Sequence, residues 1–277
     1  LLGANYTISD STENPEAVLV RSAAMHDMDM PYGNPIKCTE PGYYNFELYH
    51  VRISFKLADG HLPSLLKKAA LFATEDSYYI ESDGIEEIYI SSIDYELLQR
   101  NYIIEYIEFI EIYGFRTTKL MFFDYIDKWY SKKKVDTGAK KIVDKLMLNC
   151  LYGKFGSNHR GKHKIPVMDW ENNTVKFVNS AEEDMTKYYL PVAIAVTSYA
   201  HKLIDDAIYE TGIENFVYCD TDSVHTLGTL PESYIDNSKL GKFKLEAIET
   251  KSKYVRQKCL PVLCLIAAQA VFMHTQK

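Results

Sequence analysis

Residues 51–57 alternate without interruption between apolar and polar side chains, and this feature constrains the fold more than any other. The apolar positions are Val51, Ile53, Phe55 and Leu57. Successive side chains of an extended chain point to opposite sides, so the pattern predicts a strand with one buried side. A Ser-Asp-Gly turn at 82–84 between apolar runs at 78–80 and 85–90 predicts a hairpin. We expect mostly sheet up to about residue 115, with a short helix at 92–102.

Helical spacing dominates the next part of the chain. It begins at residues 122–130, and a cap at Asp136 or Thr137 begins a second helix that ends near residue 152. Residues 156–189 are polar and strand-like, which indicates a small insertion.

The last regular elements are a helix and two strands. Pro191 begins the helix, and Gly212 is placed to end it in a left-handed conformation. Strands at 216–218 and 224–226 then flank an Asp-Thr-Asp turn. Strands interrupted by helices in this order predict an α+β fold and not a doubly wound one.

Composition limits the kinds of protein that this chain can be. With 277 residues, 47% of them hydrophobic, the chain can bury a substantial core. Its formal net charge of −7 argues against a surface that follows a nucleic-acid backbone everywhere. Lysines are nevertheless concentrated at 128–164 and acids at 75–127, which suits a basic groove in an acidic body; a solvated charge run is the alternative. Residues 1–30 show no clear periodicity.

The cysteines and the apolar segments bear on the compartment. The five cysteines fit neither a zinc pattern nor a dense disulfide framework, which favours a reducing compartment. The first residues lack the layout of a signal peptide, and the apolar run at 259–273 is short for a membrane span. We therefore expect a soluble protein that does not contact membranes.

Two carboxylates, Asp220 and Asp222, stand at positions i and i+2 of the segment YCDTDS. In an extended chain this spacing points both to the same side. Phosphoryl transfer by two metal ions about 3.5–4 Å apart needs oxygen ligands from at least two chain segments. The alternative is an ordinary acidic turn, because aspartate is common in turns.

A second set of polar residues forms one stripe on the helix predicted after residue 136. Lys141, Lys145, Asn149 and Tyr152 are spaced by four, four and three residues. The lysines can neutralise the phosphates of an incoming nucleotide, and the ring can stack on its base or exclude the wrong sugar. Lys133, in the preceding turn, could reach the same phosphates. A solvated lysine face is the alternative.

Together these segments resemble two motifs of the family B DNA polymerases. YCDTDS at 218–223 resembles motif C, and KLMLNCLYGKF at 145–155 resembles motif B in its K-x-x-x-N-x-x-Y-G form. The match is closer to the protein-primed phage type, and it covers about residues 23–258. The resemblance implies an antiparallel palm sheet with helical fingers and two small insertions.

The resemblance also implies a role for each matching residue. Asp222 resembles the principal metal ligand and Asp220 its partner, for two Mg²⁺ ions that Mn²⁺ can replace. The nucleotide-binding positions are Lys133, Lys141, Lys145, Asn149 and Tyr152. The positions expected to contact DNA are Lys154, Arg160, Lys162 and Lys258, the last of which matches the lysine that holds the primer end.

Partners and subdomains follow from the same resemblance. The implied partners are primer–template DNA, dNTPs and a terminal protein primer. The implied location is the cytoplasm of a phage-infected host or an organelle that carries a linear plasmid. The implied parts are 1–44, the first part of the palm; 45–115, an insertion that engages the terminal protein; 116–155, the fingers; 156–189, an insertion that encircles template and product; 190–258, the palm with motif C; and 259–277, an atypical tail in place of a thumb.

Two departures from the family pattern leave the activity open. In motif A, D-x-x-S-L-Y-P, Glu16 stands at the aspartate position and Arg21 where the sugar-discriminating tyrosine belongs. Lys258 is followed by Cys259-Leu260, without the tyrosine of a K-x-Y motif. The hypotheses are a polymerase in which Glu16 completes the metal site, or an inactive remnant that still binds DNA or a terminal protein. A third, a calcium-binding or structural α+β domain, leaves the lysine stripe unexplained.

Overall fold

The computed structural model describes residues 3–8, 19–65, 78–157, 160–184, 188–220, 223–236 and 239–249. Its helices are α1 (Leu19–Asp27), α2 (Ser92–Asn101), α3 (Phe123–Val135), α4 (Gly138–Phe155) and α5 (Leu190–Thr211). Its strands are β1 (Gly3–Ile8), β2 (Met30–Cys38), β3 (Phe46–Leu57), β4 (Glu86–Ser91), β5 (Tyr102–Thr118), β6 (Arg160–Gly161), β7 (Lys164–Asp169), β8 (Thr174–Asn179), β9 (Glu183–Asp184), β10 (Phe216–Asp220), β11 (Ser223–Thr226) and β12 (Phe243–Glu249). Antiparallel sheets and helices together confirm the predicted α+β class.

The first sheet is four-stranded, in the order β2-β5-β3-β4, and all its pairs are antiparallel. The alternation in β3 is confirmed, because Val51, Ile53 and Phe55 are at most 1% exposed while Arg52 and Lys56 are exposed. Leu98 of α2 packs into the same apolar cluster. The predicted helix at 92–102 is therefore confirmed as α2, which lies on the buried side of this sheet.

The predicted hairpin around residues 82–84 is wrong in its pairing. The turn exists, with Gly84 at φ +67°. However, β4 pairs with residues 48–53 of β3, while the backbone N–H of Leu57 donates to Ile80 O at 2.7 Å. The segments on the two sides of the turn therefore follow one another along the same edge of β3, because that edge is long enough to offer backbone partners to both.

The two helices predicted for residues 122–152 are confirmed as α3 and α4. Thr137 takes the N-cap position of α4 with an extended backbone, but its side chain forms no capping hydrogen bond. The small insertion is confirmed as strand-rich, since β7 and β8 form a two-stranded hairpin and β6 pairs with β9. Asn173 lies in the hairpin turn at φ +53°.

Helix α5 is the central support of the molecule. Ten of its residues are buried, and it packs against α1, α2, α4, β2 and β11. Its predicted limits are confirmed, with Pro191 in the first turn and Gly212 at φ +86° directly after the last. Among the described residues, every helix is too short or too polar to span a bilayer.

The second sheet has the order β10-β11-β1-β12 and contains the two strands predicted at 216–218 and 224–226. Its member β1 and the helix α1 were not predicted, because residues 1–30 show no periodicity. Phe243 of β12, Val224 of β11 and Val20 of α1 form an apolar cluster with the second half of α5. This cluster fixes the sheet on α5.

Candidate functional site

The backbone of Asp220 lies at the closed end of a hairpin. Strands β10 and β11 pair antiparallel with Asp220 opposite Ser223, so two residues connect them. Val224, fully buried, packs with Ala207 and Ile208 of α5, which holds β11 in place. This local arrangement is the one that the turn in the sequence predicts.

Several of the predicted site residues cannot be placed in full. Asp222, Glu16 and Lys258 lie outside the described residues. Of Asp220 and Arg160, only the backbone is described. The metal-binding roles of the three acids therefore stay predictions. Within the described ranges, His, Cys, Asp and Glu side chains form no group of three that could hold a metal ion.

Strand β1 borders the hairpin on the other side of β11. Thr7 of β1 lies opposite Ser223, which is itself opposite Asp220. Because the pairing is antiparallel, β1 ends beside the closed end of the hairpin. A segment from the start of the chain thus reaches the edge of the candidate site, although the sequence did not predict that this segment is a strand.

The lysine stripe of α4 is half-buried and not fully solvated. Lys141, Lys145, Asn149 and Tyr152 all have intermediate exposure, while the helix buries Leu148 in the core on another side. Asn149 Oδ1 is buried and accepts no hydrogen bond from any described residue. Buried polar atoms are rarely left unpaired, so this acceptor is available to a ligand or water.

Tyr152 is fixed from two directions. Thr197 Oγ1 donates to Ala193 O at 2.9 Å, so the Tyr152 hydroxyl donates to Thr197 Oγ1, also at 2.9 Å. The guanidinium carbon of Arg21, on α1, lies 4.7 Å from the ring centroid. This distance is within the range of a cation–π interaction. The ring therefore has one held hydroxyl and one face covered by a cation.

An open groove of about 310 Å³ runs beside Tyr152 between α4 and α5. Gly156, Ala193, Thr197 and Ser198 contribute to its walls. A β-carbon at position 156 would lie 3.5 Å from the Ala193 methyl group, an ordinary van der Waals contact, so the end of α4 lies close to α5. Thr197 was not identified from the sequence, because one threonine within an apolar helix carries no functional signal.

The remaining predicted cations differ in exposure. Lys154 and Lys162 are exposed, as DNA contacts require. Lys133 is only 1% exposed, at the buried side of α3. A contact between Lys133 and a bound triphosphate therefore requires this side chain to become accessible.

Asp144 is an acid of α4 that lies outside the lysine stripe and has a shifted pKa. Burial raises the pKa of Asp144, and a hydrogen bond with the Asp136 side chain raises it further, while Lys132 and Lys140 act in the opposite direction. Asp144 thus shares a hydrogen bond with Asp136 and is not one of the residues of the lysine stripe.

The two motif segments have a common support. The hairpin packs near Ala207 of α5, and α4 contacts α5 at Thr197, ten residues earlier. Ten helical residues span about 15 Å. This distance is compatible with the predicted arrangement in which both segments serve one substrate.

Comparison with known proteins points to one family. The sequence model of the family described as "DNA polymerase type B, organellar and viral" matches residues 22–254. The DNA polymerase of Bacillus phage phi29 is 34% identical over 245 residues, which are 85% of this chain and 42% of that protein.

Solved structures agree with the sequence comparison. Phi29 DNA polymerase complexed with primer–template DNA and incoming nucleotide substrates matches with a TM-score of 0.79 and 31% identity, over 93% of this chain and 45% of that one. The same polymerase complexed with single-stranded DNA matches with a TM-score of 0.75 and 30% identity, over 93% and 44%. The chain thus spans less than half the length of these relatives.

Proposed function

Because the chain belongs to the organellar and viral type B DNA polymerases, we propose that it carries the nucleotide-adding site of a protein-primed, DNA-directed DNA polymerase. The observation that carries this proposal is the half-buried stripe of α4, in which the unpaired Asn149 Oδ1 lies between Lys145 and the fixed ring of Tyr152 along the helix. A nucleotide offers phosphates to the lysines, a hydrogen-bond donor to the amide and a base to the ring.

Each residue of the stripe has a distinct task. Lys141 and Lys145 neutralise the triphosphate, and Lys133 joins them when its side chain becomes accessible. Asn149 accepts a hydrogen bond from the nucleotide. Tyr152 stacks below it, and the bond to Thr197 fixes the position of the ring. Positioning of this kind lowers the barrier because the reacting groups already lie close together.

The metal ligands that we propose are Asp220, Asp222 and Glu16. Carboxylate oxygens suit Mg²⁺ or Mn²⁺. Asp220 ends β10 at the closed end of the hairpin, and Asp222 follows two residues later in the sequence. Two bound divalent ions would lower the charge on the attacking and leaving oxygens during transfer to the primer 3′ hydroxyl. The acids of the chain would hold the two ions beside the triphosphate. The lysines of α4 hold the triphosphate from the other side.

The DNA contacts that we propose come from Lys154, Arg160, Lys162 and Lys258. Phi29 DNA polymerase, the relative described above, binds primer–template DNA and nucleotides, and we extend these substrates to this chain. The location that we propose is a phage-infected host or an organelle with a linear plasmid, where such a genome is copied.

The subdomains that we propose keep the limits predicted from the sequence. Residues 1–44 and 190–258 form the palm and 116–155 the fingers. The part of the first sheet that lies within 45–115 is the terminal-protein contact, and its solvent-facing side carries Glu87, Glu108 and Glu111. Residues 156–189 surround the DNA, and 259–277 replace the thumb.

A second candidate is a remnant that binds DNA or a terminal protein without catalysis. The observation that favours it is the Arg21 guanidinium over the Tyr152 ring. In the family pattern this position belongs to the tyrosine that discriminates sugars, so the cation alters the place where the sugar would lie.

Template-directed nucleotide binding tests the proposal without requiring catalysis. A primer with a dideoxy end is annealed to a template, and retention of this DNA by the protein is measured with each of the four dNTPs. Only the dNTP that pairs with the template should strengthen retention, and Lys145→Ala should abolish the effect. Lys140→Ala, an exposed lysine off the stripe, is the control. Equal retention with all four dNTPs would contradict the proposal.

A further inference from the structure

The tip of the β7–β8 hairpin presents an unusually exposed tryptophan. Trp170 is 84% exposed, although tryptophan is among the side chains that proteins bury most on average. The chain's other tryptophan, Trp129, packs against the main core and lies under Lys132, whose Nζ is 4.6 Å from the ring centroid. Trp170 has no such ring or cation contact among the described residues. Its indole is therefore available to a partner.

The loop that carries Trp170 is ordered by one side chain. Asp169 Oδ1 accepts the backbone N–H of Glu171 at 3.2 Å, and Asp169 Oδ2 accepts from Asn172 Nδ2 at 2.9 Å. Asp169 also forms an ion pair with Lys176 across the hairpin. A loop fixed in this way loses little conformational entropy when a ligand binds. The exposed indole is thus presented by a pre-organised turn and not by a flexible chain.

Two exposed lysines lie at the base of the hairpin. Lys162 and Lys164 form no ion pair with described residues, whereas Lys176 is neutralised by Asp169. Glu171, Glu182 and Glu183 of the same segment are also exposed, so the segment is not basic as a whole. Six residues of strand separate the two lysines from the aromatic tip, which is a reach of about 20 Å. An aromatic tip with two lysines at this distance fits a single strand of nucleic acid, whose phosphates and bases are both accessible.

The hairpin belongs to the segment that joins α4 to α5, the two helices beside the groove at Tyr152. Strand β7 begins nine residues after α4 ends, and α5 begins eleven residues after β8 ends. An isolated two-stranded hairpin is marginally stable by itself. Contact with a bound strand would stabilise it.

We propose that Trp170 is a base-stacking site for unpaired nucleotides of single-stranded DNA. This inference rests on the proposed function, since it assumes that the groove beside Tyr152 handles DNA. The indole stacks on a base, and Lys162 and Lys164 contact the phosphates of the same strand.

Tryptophan emission gives a direct test in the full chain. In a Trp129→Phe background, Trp170 is the sole tryptophan. Binding of an oligothymidylate should quench its emission, whereas an abasic oligomer of equal length and charge should bind without quenching. Trp170→Ala should weaken binding of the base-bearing oligomer by about tenfold and leave the abasic one unchanged. Trp170→Phe should retain most of the affinity.

Controls separate stacking from other effects. Tyr89→Ala removes another exposed ring, on β4 of the first sheet, and should change neither affinity. Because Trp170 is exposed, circular dichroism should show the Ala variant folded.

Binding with unchanged emission, or an equal loss for both oligomers, overturns the stacking site and leaves the proposed function standing. Emission that changes with protein concentration alone, with self-association lost in Trp170→Ala, overturns it in favour of a second copy. If neither oligomer binds at low salt, the proposed DNA-binding function fails together with the inference.

Discussion

Arg21 and Tyr152 form a contact between α1 and α4, with the guanidinium carbon 4.7 Å from the ring centroid. The contact joins a residue from the part of the chain that departs from the family pattern to a residue that matches it. Since Thr197 holds the Tyr152 hydroxyl, the ring cannot turn away from the cation without losing a hydrogen bond. In the proposed nucleotide site, this contact would determine which chemical groups the sugar meets.

The first prediction concerns sugar discrimination. A guanidinium can donate a hydrogen bond to a ribose 2′-hydroxyl, whereas a tyrosine ring fills the same space. We expect the unmodified chain to bind ATP and dATP with similar affinity. Arg21→Tyr should lower the affinity for ATP relative to dATP by about tenfold. Isothermal calorimetry with both nucleotides measures the ratio.

The control for this prediction is Arg52→Tyr, on the solvent-facing side of β3. It should leave the ratio of the two affinities unchanged. An Arg21→Tyr variant that binds ATP and dATP as the unmodified chain does would place the sugar elsewhere.

The second prediction concerns the polar contact between α2 and α5. Arg100 donates to Asp205 and Asp206, both at 2.7 Å. Burial raises the pKa of Asp205, and Arg100 acts in the opposite direction. Because the folded pKa lies above the unfolded value of 3.8, the contribution of Asp205 to stability is complete below that value and is lost as pH rises through the folded pKa.

Removal of Arg100 should raise the folded pKa of Asp205 further, and so widen the pH range over which its contribution to stability is lost. Arg100→Met leaves Asp205 without its cation and leaves Asp206 with the contact of 3.4 Å to Lys202, so it should lower the free energy of unfolding by about 2 kcal/mol at pH 7. The loss should be smaller near pH 4, where Asp205 is partly protonated. Urea denaturation at both pH values measures it. Arg52→Met, which breaks exposed contacts of 3.5 Å, should cost less than about 1 kcal/mol at either pH.

Much of the fold could be predicted because local patterns and tertiary contacts agree there. The alternation around Val51 survives because α2 covers one side of the sheet and solvent the other. Pro191 and Gly212 mark the ends of α5 through backbone geometry, which does not depend on distant residues. The turn between β10 and β11 could be placed for the same reason.

The same alternation shows the limit of local reasoning. Glu47 points to the same side of β3 as Tyr49 and Val51, and it is 0% exposed. Its carboxylate accepts the backbone N–H groups of Gly42, Tyr43 and Tyr44 at 2.8–2.9 Å, and the Tyr49 hydroxyl at 2.6 Å. A loop folded over the strand thus compensates for burial of the charge, and no short-range pattern encodes that loop.

In the candidate site, the stripe on α4 could be predicted from helical spacing, whereas its neighbours could not. Thr197 and Arg21 come from segments 45 residues after and 131 residues before Tyr152. Contacts of this separation depend on how α1, α4 and α5 pack together. The buried position of Lys133 has the same origin, because the sequence shows only a lysine in a basic turn.

The third prediction concerns the salt dependence of binding to primer–template DNA. Each phosphate neutralised on duplex DNA contributes about −0.9 to the slope of log affinity against log salt. Lys154→Ala and Lys162→Ala should each make the slope shallower by about one, because both lysines are exposed. Lys56→Ala, an exposed lysine of β3, should leave it unchanged. Filter binding across a salt series provides the slopes, and affinity that is independent of salt would exclude these phosphate contacts.

The last prediction decides between polymerase and remnant, and it depends on Glu16. Two divalent ions beside Asp220, Asp222 and a triphosphate need a further acid from another segment, and Glu16 is the acid that stands at the motif A position. Glutamate has a longer side chain than aspartate, and metal sites tolerate ligand shifts of only about 0.5 Å. We therefore expect weak or absent primer extension with Mg²⁺ or Mn²⁺.

Any extension should disappear in both Asp222→Ala and Glu16→Ala, but not in Glu13→Ala. Glu16→Asp combined with Arg21→Tyr should increase extension, because the pair restores the ligand length and removes the cation over Tyr152. Processive synthesis by the unmodified chain would show that Glu16 holds the ion as well as an aspartate does, and that the remnant hypothesis is wrong.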